Sequence, residues 1–178
     1  MIDLTKRLPN AIYGADGKPF LLNTDFRYWI QFNEDLKRDS EDRDISYLFK
    51  GDVPYITNEI LMQLQMFLYN PSATPKSDFS GERVLDYVLD GDYIFSALYA
   101  TYGIDITEME MHWHKFQALC NNIVGDNTLW GYAKQRRGYK KSDKSMEQIY
   151  EKEKIAWSLP VEEKEQSYEE YDEYFKDI

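Results

Sequence analysis

The chain has 178 residues, of which 43% are hydrophobic and 16% aromatic, so it is long enough to bury the core of one domain. Its formal net charge of −11 works against binding to nucleic acid or anionic membranes, and favours either simple solubility or a basic protein partner. The single cysteine, Cys120, excludes an internal disulfide, which is typical of a reducing compartment. The sequence has neither an apolar run long enough to span a bilayer nor the apolar core of a signal peptide, so we expect a cytoplasmic protein.

The N-terminal region predicts a β-hairpin followed by a helix. The runs AIY and FLL flank Gly14-Ala15-Asp16-Gly17, and Asp-Gly is a strong signal for a tight turn. A lone hairpin is marginal in water, so this one must pack on another element. Thr24 is placed to cap the next helix, with Asp25 in its first turn. The helix is indicated by residues at helical spacing, which are Phe26, Trp29, Ile30, Asn33 and Leu36.

The middle of the chain predicts loops and helices in alternation. Residues 37–44 form a charged loop, and residues 45–49 form a short apolar turn. Pro54 can open the next helix at its first position, and that helix ends before Asn70. Its apolar stripe comprises Ile56, Ile60, Leu64 and Phe67, widened by Leu61 and Leu68. Residues 70–81 are predicted to form an exposed loop and residues 82–89 a further helix.

The stretch Asp90–Gly125 predicts two helices joined by a tight corner at residues 102–105. The first helix carries an apolar stripe and stops at Gly103. Thr107 and Glu110 have the spacing of a capping box, which places the start of the second helix. The apolar face of the second helix comprises Met109, Trp113, Phe116, Cys120 and Ile123, and Gly125 is placed to end it. We expect an antiparallel helical hairpin.

The C-terminal third begins with a basic patch and ends in an acidic segment. Lys134–Lys144 has six basic residues and one acid, a net charge of +5, and predicts a solvated linker or an intramolecular partner for the acidic tail. Ser145 and Gln148 form a second capping box, from which a helix runs to Leu159-Pro160.

We divide the chain into a helical domain, residues 1–160, and an acidic tyrosine-rich tail, residues 161–178. Tyr168, Tyr171 and Phe175 lie at i, i+3 and i+7 and are our candidate partner-binding residues. The tail is either a disordered segment that folds on a partner or a last helix docked on its own domain. The predicted fold class is mainly α, a single helical domain with a small N-terminal β-hairpin and an acidic C-terminal helix or tail.

The sequence offers no catalytic or metal-binding motif. His112 and His114 are two residues apart, so on a helix they point about 200° from each other and cannot share a metal ion. We expect both to border the core and to bond to backbone or solvent. Asp86, Asp90 and Asp92 precede a helix and are explained by capping. We therefore predict a protein that is not an enzyme, with no catalytic residues, no metal ligands and no cofactor.

Three runs of sequence together resemble the bacteriophage gene-product-fifteen family. They are DGKPFLLNTDFRYWI at residues 16–30, DYIF at 92–95 followed by YGIDI at 102–106, and HWHKFQAL at 112–119. The resemblance covers about residues 8 to 160 and continues through Gly131-Tyr132. The chain departs from the family pattern at Ala133, where the family usually has arginine, and in the tail after Pro160.

The resemblance implies a tail assembly chaperone of long-tailed phages that infect Gram-positive hosts. Such a protein would act in the host bacterial cytoplasm, coat the phage tape-measure protein and recruit tail-tube protein. The acidic net charge predicts in addition that the protein binds neither nucleic acid nor membrane. Two alternatives remain open, which are a structural connector or completion protein retained in the virion and an acidic DNA mimic that inhibits a host protein. The oligomeric state is also open.

Overall fold

The structure is a computed structural model that describes residues 5–37, 44–69, 84–138 and 146–160. Within these ranges the fold is mainly helical with one small two-stranded sheet, which confirms the predicted class. The elements are β1 (Ala11–Tyr13), β2 (Pro19–Leu21), α1 (Phe26–Asp35), one turn of 3-10 helix (Ser46–Leu48), α2 (Asn58–Tyr69), α3 (Gly91–Tyr102), α4 (Trp113–Asn122), α5 (Leu129–Arg137) and α6 (Glu147–Trp157). None of the helices in the described part of the chain has the length and apolarity needed to cross a bilayer.

Several predictions concern residues outside the described ranges. They are the centre of the charged loop (38–43), the loop at 70–81, the end of the basic patch, the capping residue Ser145 and the whole tail with Tyr168, Tyr171 and Phe175.

The predicted hairpin is confirmed. β1 and β2 are antiparallel, with Ile12 opposite Phe20. Gly17 at φ +77° supplies the left-handed residue that the turn needs. The hairpin also packs on another element, because the side chain of Gln63 in α2 makes two hydrogen bonds of 2.9 Å to the backbone of Tyr13.

The first helix forms where it was predicted, but Asp25 caps it rather than Thr24. The Asp25 carboxylate accepts a hydrogen bond from the amide of Arg27 at 3.1 Å. Thr24 has a different role, because its carbonyl accepts a tertiary hydrogen bond from the amide of Trp113 at 2.7 Å. Phe26, Trp29 and Phe32 form the buried face of α1.

Helix α2 begins at Asn58, so the prediction that Pro54 opens it was wrong. The hydroxyl of Thr57 accepts from the amide of Ile60 at 3.3 Å, which is the bond of a helix N-cap and one that proline cannot make. The predicted core residues Ile60, Leu64 and Phe67 are buried as expected. Ile56 precedes the helix and is 37% exposed.

The helix predicted over residues 82–89 is absent from its described part, residues 84–89. Residues 87–90 form a turn instead. The reason is Asp86, whose carboxylate accepts from the amides of Val88 at 2.8 Å and Leu89 at 2.7 Å. A short acidic side chain that bonds to nearby amides favours a turn over a continuing helix.

Helix α3 stops at Gly103 as predicted, with Gly103 as its left-handed C-cap at φ +66°, but α4 starts later than expected. Thr107 does not cap it. Its amide and hydroxyl both donate to Asp105, and the helix starts at Trp113 with His112 as its cap. The connection is therefore residues 103–112 rather than a tight corner. α4 ends at Asn122 with Ile123 as its C-cap, so the prediction that Gly125 ends it was wrong, although Gly125 does adopt the left-handed conformation at φ +74°.

Helix α5 lies partly in what the sequence predicted to be a solvated linker. The hydroxyl of Thr128 caps it by accepting from the amide of Gly131 at 3.0 Å. A side chain at Gly131 would collide with the carbonyl oxygen of Gly125, so only glycine permits this approach. Trp130 is fully buried. The last helix, α6, confirms the prediction, although Met146 stands at its N-cap without a side-chain bond.

One hydrophobic core joins these elements. It extends from the hairpin through α1, α2, α3 and α4 to Trp130 of α5. Trp29, Trp113 and Trp130 are its largest fully buried side chains.

Candidate protein-binding face and its supports

The two most specific sequence strings, DFRYW and HWHKF, meet at the start of α1 and α4. Asp25 and His112 form an isolated antiparallel bridge. The amide of Phe26 donates to the carbonyl of Met111 at 2.9 Å, and the carboxylate of Asp25 accepts from the amide of Met111 at 2.9 Å. One backbone bond and one side-chain bond thus tie the start of α1 to the segment that leads into α4.

Arg27 fixes the loop that leads into α4. Its guanidinium donates to the carbonyl of Ile106 at 2.6 Å and to those of Thr107 and Met109 at 3.3 Å. An arginine can serve several carbonyls at once because its donors form a rigid planar fork. The arginine of the DFRYW string therefore has a structural role.

The two histidines bond to backbone, as predicted, but the predicted angle between them was wrong. His112 is the N-cap and not part of the helix, so its ring lies 5.1 Å from that of His114, measured between centroids. Nδ1 of His112 accepts from the amide of His114 at 3.1 Å. The other ring nitrogens bond to the carbonyls of Pro9 at 2.9 Å and Phe67 at 2.8 Å.

Burial lowers the pKa of both His112 and His114, so both rings are neutral near pH 7. Across the described ranges, no three His, Cys, Asp or Glu side chains come together in a way that could hold a metal ion. The thiol of Cys120 is buried, and burial raises its pKa to about 12. A thiol with that pKa stays protonated and is a poor nucleophile.

Side chains of α4 also hold the end of α2. The indole of Trp113 donates to the carbonyl of Leu68 at 2.8 Å, and the amide group of Gln117 donates to the same carbonyl at 2.9 Å. Phe67 stacks on Trp29, with ring centroids 4.1 Å apart. These contacts fix which side of α2 faces the core and hence which side faces solvent.

Asp90 stands at the N-cap position of α3 as predicted, but its side chain does not cap the helix. Its carboxylate accepts two hydrogen bonds from the guanidinium of Arg137, at 2.7 and 2.9 Å, and both side chains are buried. Arg137 also donates to the carbonyls of Trp157 at 2.6 Å and Val84 at 3.3 Å. One arginine thus links α3, α5, the end of α6 and the segment before α3.

The described part of the basic patch is not a solvated linker. Lys134 lies over the Trp130 ring, 3.8 Å from its centroid, and donates to the carbonyl of Cys120. Arg136 lies 4.5 Å from the centroids of both the Tyr132 and Tyr150 rings. It also pairs with Glu153 at 2.7 Å, an acid of α6. These contacts attach α6 to α5.

The outer side of α2 carries an apolar row that has no counterpart in our sequence prediction. Met62, Met66 and Tyr69 are 60%, 57% and 59% exposed. Their spacing of four and three residues places them on one side of the helix. We call this row the α2 face. The sequence contains part of this signal, since Met62 and Met66 are four residues apart and lie outside the predicted core stripe. It does not show that the other elements leave them uncovered.

A cleft lies beside the start of α2, between the hairpin turn and residues 54–60. Its volume is about 540 Å³, and we call it the hairpin cleft. Pro54 and Ile60 are its buried lining residues, while the rings of Tyr13 and Tyr55 are exposed. Asn58 and Glu59 belong to both the cleft and the first turn of α2, so the start of this helix forms one wall of the cleft.

Gln63 holds the two sides of the hairpin cleft together. Its side-chain oxygen accepts from the amide of Tyr13 at 2.9 Å, and its side-chain nitrogen donates to the carbonyl of Tyr13 at 2.9 Å. Lys18 pairs with Asp52 at 2.8 Å between the two exposed loops. The pair of bonds from Gln63 orients the strand on the helix, so the cleft exists before any partner binds.

The fold and this surface define a helical domain whose histidines bond to backbone carbonyls and whose cysteine is buried. A family model described as "Bacteriophage Gp15 protein" matches residues 4–159. The chain belongs to this family of bacteriophage proteins. No curated protein and no solved structure matches it.

Proposed function

We propose that this phage protein is a tail assembly chaperone with a non-enzymatic role. It binds the tape-measure protein, the tail-tube protein or both in the host cytoplasm while the tail is built. Family membership supports a role in the phage life cycle. The observation that carries the finer proposal is the α2 face, with Met62, Met66 and Tyr69 exposed on one side of a helix whose other side is in the core.

An exposed methionine row suits a protein that must hold helices of varied sequence. Methionine is flexible and polarisable, so it adapts its packing to different apolar partners. Contiguous exposed apolar surface commonly marks a protein-binding site. A tape-measure protein is long and helical, and it would present apolar stripes until it is packed inside the tail.

The acidic charge complements this role. A net charge of −11 keeps a complex soluble when the chain covers an aggregation-prone partner. In this proposal the apolar α2 face contacts the partner, and the negative charge makes the resulting complexes repel one another.

Purified virions from a phage that encodes this protein provide the test. Mass spectrometry should detect the tape-measure and tail-tube proteins but not this chain, and deletion of its gene should abolish tails. Stoichiometric amounts of the chain in virions would instead support a connector retained in the particle. Normal tails from the deletion phage would remove the chaperone proposal altogether.

A further inference from the structure

The hairpin cleft has a chemical character that the α2 face lacks. Its rim carries the exposed carboxylates of Asp16 and Glu59, and the residues that line it in the described structure include no lysine or arginine. Lys18 lies 5.3 Å from the Phe20 ring centroid, and its ammonium group pairs with Asp52 at 2.8 Å and is also attracted by Asp16. The cleft is thus an apolar space with an acidic rim.

Two aromatic rings flank this space. Tyr13 is 57% exposed and Tyr55 is 89% exposed, and both line the cleft. The face of a tyrosine ring attracts a lysine or arginine head group, and nearby carboxylates strengthen the attraction. The cleft volume is also in the range of pockets that enclose large apolar groups.

We propose that the hairpin cleft binds a segment of a partner protein in which a lysine or arginine lies next to a large apolar side chain. The apolar side chain enters above Pro54 and Ile60, and the basic head group meets Asp16, Glu59 and the tyrosine rings. This inference rests on the proposed function, since it takes the segment to belong to a tail protein. Beyond that function, it specifies that the cleft selects a basic residue beside a large apolar side chain.

Charge argues against two other occupants. The chain's own residues 161–178 contain eight acids and two bases, so the acidic rim repels them. A second copy of the chain carries the same net charge of −11 and is also repelled. A basic partner is the occupant whose charge complements the rim.

The first test uses two short synthetic peptides with the same leucine and phenylalanine anchors, flanked by lysines in one and by glutamates in the other. The full-length chain should bind the lysine-flanked peptide and not the glutamate-flanked one, in fluorescence anisotropy titrations. The D16N/E59Q variant keeps the size of both side chains and the turn acceptor of Asp16. Its affinity for the lysine-flanked peptide should fall about tenfold, as expected when two exposed charge contacts are lost.

The matched control is D126N/E108Q, which removes one exposed aspartate and one exposed glutamate from outside the cleft. It should bind like the wild type. Y55A provides a second variant that leaves the fold intact, because this side chain is almost fully exposed, and it should also weaken binding. Equal binding of both peptides, or undiminished binding by D16N/E59Q, would overturn the inference.

The test separates this inference from the proposed function. If the chain captures tape-measure protein and D16N/E59Q captures it equally well, the function stands and the cleft proposal fails. If the chain captures no tail protein but selects the lysine-flanked peptide through Asp16 and Glu59, the cleft proposal stands and the function fails. Self-association through the cleft, detected by sedimentation and lost in Y55A, would also overturn the inference.

Discussion

Asp90 and Arg137, 47 residues apart in sequence, form a two-hydrogen-bond ion pair inside the core. The side chain of Asp90 is 1% exposed and that of Arg137 is 7% exposed. Water cannot replace either partner at such a site, so each charge depends on the other. The pair holds the C-terminal helices against the rest of the domain.

Replacing Arg137 with methionine should therefore destabilise the protein strongly. The variant leaves the Asp90 carboxylate buried without its partner, and such losses cost about 3–5 kcal/mol of unfolding free energy. Urea denaturation followed by circular dichroism measures the change. The D90L/R137M double variant should be more stable than R137M, because it removes the unpaired charge. The control D92N, at an exposed position of α3, should change stability by less than about 0.5 kcal/mol.

The histidine pair predicts a loss of stability in acid. Burial lowers the pKa of His112 and His114 below the ordinary value of 6.5. As the pH falls below 6.5, the unfolded chain takes up protons that the folded protein does not yet bind. The free energy of unfolding should therefore be highest above pH 6.5 and should decrease as the pH falls through the folded pKa values.

Urea denaturation at about pH 7.5 and about pH 5.5 checks this dependence, since the interval spans the histidine titration. The H112N variant keeps a side-chain acceptor for the cap but cannot titrate. Its denaturation midpoint should shift less between the two conditions than that of the wild type. An identical shift would show that other groups cause the acid sensitivity.

Arg27 predicts a local effect on the loop before α4. In R27K, a single ammonium group cannot serve the carbonyls of Ile106, Thr107 and Met109 together, so we expect a loss of about 1–2 kcal/mol. Hydrogen exchange should become faster in residues 106–111 in particular. R7K, an exchange of the same type at an exposed position, should leave both quantities unchanged. Uniformly faster exchange across the domain would contradict a local role.

The sequence predicted those elements whose signals are local. Asp16-Gly17 identified the hairpin turn, and the apolar stripe with Gly103 identified α3. Local signals misled where a tertiary contact was stronger. Thr107 and Glu110 have the spacing of a capping box, but the hydroxyl of Thr107 donates to Asp105 instead. The contacts of Asp25 with residues 111–112 hold those residues in extended backbone, so α4 starts only at Trp113.

The sequence did not predict the tertiary contacts of the basic residues in α5, because their partners are distant in sequence or have no recognisable local pattern. Lys134, Arg136 and Arg137 look like a solvated basic run until their partners Trp130, Tyr150 and Asp90 are brought beside them by folding. The candidate site depends on exposure, which no sequence pattern gives. Met62 and Met66 lie outside the predicted core stripe of α2, but only the packing of the other elements leaves them 60% and 57% exposed.

Co-purification with the tape-measure protein tests the role of the α2 face most directly. The M62Q/M66Q variant keeps helix propensity and removes exposed apolar surface, and I149Q/I155Q makes the same kind of change at exposed positions of α6. When each is co-expressed with tagged tape-measure protein, M62Q/M66Q should be recovered in much smaller amount than the wild type, and I149Q/I155Q should be recovered normally. Equal recovery of all three proteins would contradict binding through the α2 face.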